Sequence, residues 1–570
     1  LNGKYFAGSS ETRSSSQSNN QQTIGDTVLL THSTGKGNRT YLDNGLSFKA
    51  SGKRDSTITW RYIPTIRFGH RDSWNNSESA TGSNFNAQLN DQLSATESHG
   101  SYSSYGHTLG GAYNFKKKGR TLTFFQYLST NTDKSNDTTH VASNYYLTDE
   151  HSVLDQYKRN TTGGTDITSR LYYAEPVSRT STLTLNLNSA YNKSDNQLQT
   201  YNRDTVTHAL SALDPHYSNE SHRESWQNSV ALGYRLQLGE LRLSVSGELQ
   251  QQYIHTTFGP RFAPVTQRIT NVLPSLNLSW KGLNLYYYKY VNLPSAANIQ
   301  PLPDSSNPLN ITIGNPHLRP SVQQQLAAYY QFMKGENTLS VFGALRFNSH
   351  DVFSNRTVDG QGAQVTTLEN INGQWGTYMG FEGRLKVRKT DSWNLYVRAS
   401  TFNRIDKTFI AVNGAHSGEV VYTAAPRAGL DINLHDVFDF SSNYSLEWSH
   451  ATFESKAYTA QETVLHLLSG TATFRLPKHF VWETNLTYRF NGALAPGISR
   501  NNYLWNASAS YLFGKEHRAQ LKVSVFDLLN QHVNLTRSVH ENYVSDYQST
   551  VLQRYGMISL IYNIRGFRAR

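Results

Sequence analysis

The chain has 570 residues, no cysteine, three methionines and a formal charge of +11. That excludes a disulfide framework and thiolate metal sites, and no apolar run reaches the roughly 18 residues of a spanning helix. Hydrophobic residues are only 37%, low for ordinary globular domains, yet 12% aromatics is too many for disorder.

A large β structure with a polar interior and aromatic girdles satisfies both facts. The positive charge suits a solvated surface, or the phosphates of lipopolysaccharide and anionic solutes. The chain starts at Leu1 without methionine or signal peptide, so targeting is not legible.

In chain order, SSETRSSSQSNNQQ (Ser9–Gln22) reads as extended wall or loop. In LTLNLNSAYN, Leu183, Leu185, Leu187 and Tyr191 oppose Thr184, Asn186, Asn188 and Asn192. In LRLSVSGELQ, Leu241, Leu243, Val245 and Leu249 oppose Arg242, Ser244, Ser246, Glu248 and Gln250. WETNLTYRF (Trp482–Phe490) and AQLKVSV (Ala519–Val525) alternate in the same way. Period two marks strands with one apolar and one wet face. Many such segments run well beyond ten residues, enough to cross a bilayer at a tilt.

The connections alternate too. Short turns fall near Lys53, Lys117–Gly119, Ser178–Arg179, Gly239, Gly282, Gly335, Lys389, Asp436–Ser441, Lys478 and Gly514–Lys515. Between them lie long connections, expected at Ser73–Tyr102, Ser135–Gly163, Leu198–Ser221, Asn292–Leu318, Asp351–Asn372 and Gln531–Gln553. Outer-membrane barrels sort connections this way, short in the periplasm and long outside. The rhythm predicts an all-β fold: one transmembrane antiparallel β-barrel over residues 1–570, of about 22 strands. Its last strand is RYGMISLIYNIRGF, with Gly556, Ile558, Leu560, Tyr562 and Ile564 facing lipid.

PDSSNPLNITIGNPHLRPS (Pro303–Ser321) contains prolines that rule out helix and central strand. Its Leu309, Ile311, Ile313 and Leu318 are apolar, so it reads as a structured extracellular loop packed on neighbouring loops or over the mouth. Asp304, Asn307, Asn310, Asn315, His317 and Arg319 are its candidate ligand-capture residues, joined by His216 and His222 of another expected loop.

Catalytic and phosphate-binding motifs are absent from the sequence, and no enzyme, cofactor or metal site is expected. The pairs His216/His222 and His532/His540, with Asp204 and Asp214, read as solvated loop residues. Tyr286, Tyr287, Tyr288 and Tyr290 read as interfacial girdle plus lumen packing. Lys116–Arg120 reads as a solvated turn, not a nucleic-acid site.

NLPSAANIQPLPDSSNPLNITIGNPHLRPS (Asn292–Ser321) resembles the Pro…Leu…Gly-Asn-Pro-x-Leu-x-Pro signature of TonB-dependent receptor barrels. It is most similar to the large receptor-like outer-membrane β-barrel family of the Bacteroidota. FKKKGRTLTF (Phe115–Phe124), VLPSLNLSWK (Val272–Lys281) and RYGMISLIYNIR (Arg554–Arg565) fit that resemblance, which spans most of the chain. Where the family usually has an acidic residue after the last motif proline, Ser321 stands here.

The resemblance implies energised import of a large scarce solute (siderophore, cobalamin, peptide or glycan) across the outer membrane. The implied partners are outer-membrane lipid and lipopolysaccharide, the TonB motor acting through a plug, and a surface lipoprotein or other outer-membrane subunit. Neither plug nor TonB box is visible in the chain. A plug upstream of Leu1 makes it a transporter; a plugless barrel makes it a scaffold subunit of an outer-membrane complex.

Overall fold

In an antiparallel pair, facing residues share one side of the sheet. That rule lets one apolar face be followed around the wall. Leu183 faces Tyr234, Tyr234 faces Val245 and Val245 faces Leu276. Leu276 then faces Tyr287, and Tyr287 faces Leu326. Most of these side chains are exposed, as lipid-facing groups are in an isolated chain. The alternate residues, rich in Asn, Ser, Thr and Gln, face the lumen.

The computed structural model describes the chain except residues 25, 205, 208, 216, 261, 302, 305–308, 361–362, 435–436, 457, 477–478, 493–498, 515–516, 541–542 and 564–570. Its strands form one sheet, antiparallel throughout the wall, in which each strand pairs with its neighbours in sequence. The described residues include one short helix, Ala296–Ile299, capped by the Ser295 hydroxyl, which accepts from Asn298 N at 3.1 Å. Among the described residues no helix is long and apolar enough to cross a membrane. The described tight turns sit close to the expected places, while Asp436, Lys478 and Lys515 of the expected turns lie outside the described residues. At one of them Gly282 has φ +85°, and a Cβ there would lie 2.3 Å from the Gln331 carbonyl oxygen.

Three expected loops are corrected. Ser73 pairs with Ser98 inside a continuous hairpin of Ile58–Ser83 and Asn90–Asn114. Ser135 pairs with Asn160 between Thr121–Tyr145 and Glu150–Pro176. Leu198 pairs with Asn219 between Ser181–Arg203 and Asn219–Leu238. The reason is physical. Beyond the bilayer both faces of a strand meet water, so apolar alternation disappears while the backbone ladder continues. His222 therefore lies on a wall strand rather than in a loop, facing Asp195 across the ladder. Residues of Gln531–Gln553 likewise form the strands Asn534–His540 and Tyr543–Ser549.

The seam between the chain's two ends is zipped over its outer half, where Ser16–Gln22 pairs with Tyr543–Ser549. Thr550 N donates to Ser15 O at 2.8 Å, below which Tyr555–Tyr562 pairs with Ala519–Phe526 instead. An unpaired edge in lipid costs several kcal/mol per backbone group, so the outer register sets how the inner half closes. Continuing Ser16↔Ser549 by eleven residues places Tyr5 opposite Leu560, both exposed large apolar residues. In native membranes the pair Tyr5→Cys/Leu560→Cys is expected to form a disulfide, read as a band shift under reduction. A bond in Tyr5→Cys/Ile558→Cys but not in the first pair would sink this register.

At the periplasmic end, Glu336 sits in the turn between Ser321–Lys334 and Asn337–Ser349. Hydrogen bonds from Lys389 Nζ (2.7 Å) and the Tyr396 hydroxyl hold its carboxyl at about 2, below the ordinary 4.5. A depressed carboxyl contributes stability that is whole above its unfolded value and vanishes as pH falls through its folded value. Amide protection at residues 334–338, relative to the intrinsic exchange rate, should therefore fall between pH 4.5 and 2 until wild type matches Glu336→Gln. Identical exchange of the two proteins at pH 6 would show that the contact contributes nothing.

Candidate functional site: the outer mouth

The Gly-Asn-Pro stretch is built as a clamp. A Cβ on Gly314 would lie 2.4 to 2.7 Å from the carbonyl oxygens of Gln300, Ala297 and Asn298, so only glycine lets the chain pass the end of the short helix. Asn315 N donates to Asn298 O (2.7 Å), its Nδ2 donates to Leu368 O (2.9 Å), and its Oδ1 accepts from His317 N (2.9 Å). Arg319 N donates to Asn370 Oδ1 at 2.7 Å, and Asn370 Nδ2 returns to Arg319 O at 2.9 Å.

The two loops at Asn292–Leu318 and Asp351–Asn372 are thereby one unit. Asn310–Ile313 runs parallel to Gln364–Thr367, and Asp351–Val358 pairs antiparallel with Gln364–Ile371. Phe258, Ile299 and Leu318 are buried beneath this unit, with Phe262, Val265, Val352 and Leu368 packed on them.

The unit reaches across the mouth as a lid. Asn355 and Arg356 pair in parallel with Ala411 and Val412 at the top of Trp393–Val412. Val358, Ile410, Val412 and Tyr458 bury against Leu29, in the strand Thr27–Arg54, and Leu89, in the connection just before Asn90–Asn114. Gln364 Nε2 donates to Gln22 Oε1 at 3.1 Å. The lid thus joins walls far apart in the ring.

Of the candidate residues, Asn310, His317 and Arg319 are exposed on this unit, while Asn315 is spent holding it together. His222 contacts Asp195 and, at 3.2 Å, Glu224. Asn307, His216 and the side chain of Asp304 lie outside the described residues. Among the described residues no three His, Asp or Glu converge as a metal group. In the tyrosine cluster, Tyr287 faces out, while Tyr288 faces the lumen opposite Ser275 and Gln325 and stacks on Tyr290 at 5.9 Å.

Sequence reasoning missed the buried polar face below the lid. Asn219, Ser221 and Arg223 occupy alternate positions of one strand, each at most 9% exposed. Arg223 Nη1 donates to Pro294 O at 3.0 Å, and no carboxylate pairs with it among the described residues. The adjacent Thr256 is fully buried, and its hydroxyl has no partner. The latch left a trace: FIAV (Phe409–Val412) is apolar on both faces at a strand end, where alternation should persist.

Residues 113–562 match the outer membrane protein beta-barrel family, and the chain belongs to that family. It is an integral outer-membrane β-barrel protein. No curated protein sequence matches it. Among solved structures it is similar to the siderophore receptor PirA from Pseudomonas aeruginosa, at 11% identity over 95% of this chain and 81% of that one, TM-score 0.33. It is similar to the hemophore receptor HasR of Serratia marcescens at 11% identity, covering 95% and 80%, TM-score 0.41. The copper transporter OprC is 8% identical over 95% and 80%, TM-score 0.46.

The latch predicts a local phenotype. Truncating fully buried Ile410 to alanine should cost about 2–5 kcal/mol of local packing. Limited proteolysis within residues 351–371 is expected to accelerate while heat-modifiable mobility of the barrel stays unchanged. Unfolding of the whole barrel at the same rate would place Ile410 in the global fold rather than the latch.

Proposed function

We propose that this barrel is the membrane-spanning part of a TonB-dependent receptor importing a large scarce solute. The observation that carries this reading is the lid. Two loops hydrogen-bonded into one body lie across a wide polar lumen, latched by six buried side chains. A passive pore gains nothing from closing its mouth. A receptor that captures solute before an energised step needs a cover over the captured molecule. Asn310, His317 and Arg319 are capture residues on that cover, and the motor acts through a plug. The solute class spans siderophore, cobalamin, peptide and glycan.

A second reading rests on the raised wall. The first seven strands run 23–28 residues, against roughly 10 needed to span. Their polar upper halves suit a surface lipoprotein or another outer-membrane subunit, as in a scaffold.

The native chain has no cysteine, so Gln22→Cys/Gln364→Cys can be bridged by a short bismaleimide without background. Growth of the source cells limited for iron, cobalamin, peptide or glycan identifies the requirement. Bridging the lid is expected to abolish growth on that nutrient, as is loss of the motor, while either single variant treated alike keeps it. Nutrient uptake that survives both lid bridging and motor loss would move the scaffold reading ahead.

A further inference from the structure

A cleft of about 260 Å³ opens beside the lid's hinge. It lies between the upper ends of Ser181–Arg203 and Asn219–Leu238 and the residues Phe258, Gly259, Pro260 and Phe262. Leu198, Leu213, Pro215, Phe258, Pro260 and Phe262 give it apolar walls. Asn219 lines it and is 8% exposed, and among the described residues neither its Oδ1 nor its Nδ2 has a hydrogen-bond partner. A buried polar side chain with both hydrogen-bonding atoms unmatched is costly, and a ligand that matches both atoms removes that cost.

The chemistry of the match is narrow. A carboxamide offers one acceptor and donors side by side, and its direct complement is the N–H and C=O of one extended peptide residue, which project to the same side. The walls ask for an aliphatic or aromatic group next to that backbone. A sugar of the same size would bring several hydroxyls against surfaces that offer carbon. An anion would meet the Glu220 carboxylate at the rim.

We propose that this cleft binds a peptide segment, pairing the N–H and C=O of one extended residue with Asn219 and seating an apolar side chain among Leu198, Phe258 and Phe262. The proposal rests on the receptor reading and narrows its solute class to peptide-bearing molecules. Phe258 and Phe262 also belong to the buried cluster beneath the lid. A peptide in the cleft therefore touches the packing that holds the lid's hinge.

The probes are N-acetyl-leucyl-phenylalanine amide and its depsipeptide, in which an ester replaces the central amide and deletes one donor. Binding is read by saturation-transfer NMR on the full chain in lipid nanodiscs, with empty nanodiscs subtracted. Wild type is expected to bind the peptide saturably and the depsipeptide about tenfold more weakly, the loss of one buried hydrogen bond. Asn219→Leu should weaken the peptide by at least as much and erase the difference between the two probes. Phe262→Ala should weaken both probes equally.

Heat-modifiable mobility reports that each variant is folded. No saturable peptide binding, equal peptide affinity in folded Asn219→Leu, or preferential binding of maltose would each overturn the proposal. These measurements need no motor, so their failure leaves the receptor reading standing. Uptake that persists without the motor would remove that reading and leave peptide binding intact.

Discussion

Every hydrogen-bonding group of a backbone in lipid must find its partner within the protein. That constraint makes the structure a continuous ladder, and it explains features a soluble sheet would not need. The sheet closes on itself because an open edge would leave backbone groups unpaired in hydrocarbon. The lipid face is an unbroken succession of Leu, Val, Tyr and Trp, carried from strand to strand by register. The seam is where the constraint bears hardest, since the last strand shares its pairing between Ser16–Gln22 above and Ala519–Phe526 below.

Outside the membrane the same ladder becomes optional, and the chain spends that freedom at the mouth. The lid uses parallel pairing, absent from the wall, to fasten Asn310–Ile313 to Gln364–Thr367 and Asn355–Arg356 to Ala411–Val412. Its two attachments differ in kind. The hinge side is fixed by the backbone clamp around Gly314 and Asn315. The far side is held by side-chain burial around Ile410, the Gln364–Gln22 contact and the two-residue pairing of Asn355–Arg356 with Ala411–Val412.

The wall was legible because period two states both strand and lipid face, as at Leu183–Tyr191. Strand ends were not. Residues such as Ser94, Ser98 and Asn136 carry no apolar rhythm above the bilayer, though their backbones remain paired. The Pro303–Ser321 loop was legible as rigid and apolar, but the role of Asn315 was not, because its partners Asn298 and Leu368 come from outside the motif. Asn219 and Arg223 were invisible for the same reason. In a polar strand one more Asn or Arg has no distinguishing mark, and only covering by residues near 258 and 294 turns them into buried groups. His222 was misplaced with its loop, since the strand starts three residues before it.

The raised wall gives the rim two heights. Strands of about 25 residues at a tilt of roughly 45° rise some 55–60 Å, nearly twice the hydrocarbon thickness of about 30 Å. The strands Leu283–Asn292 and Ser321–Lys334, where the lid is rooted, have 10 and 14 residues. The mouth is therefore cut obliquely, like the end of a quill. One side stands as a parapet above the membrane, while the other ends near its surface. From the tall side the mouth is screened by wall, and from the low side it opens directly onto the hinge of the lid.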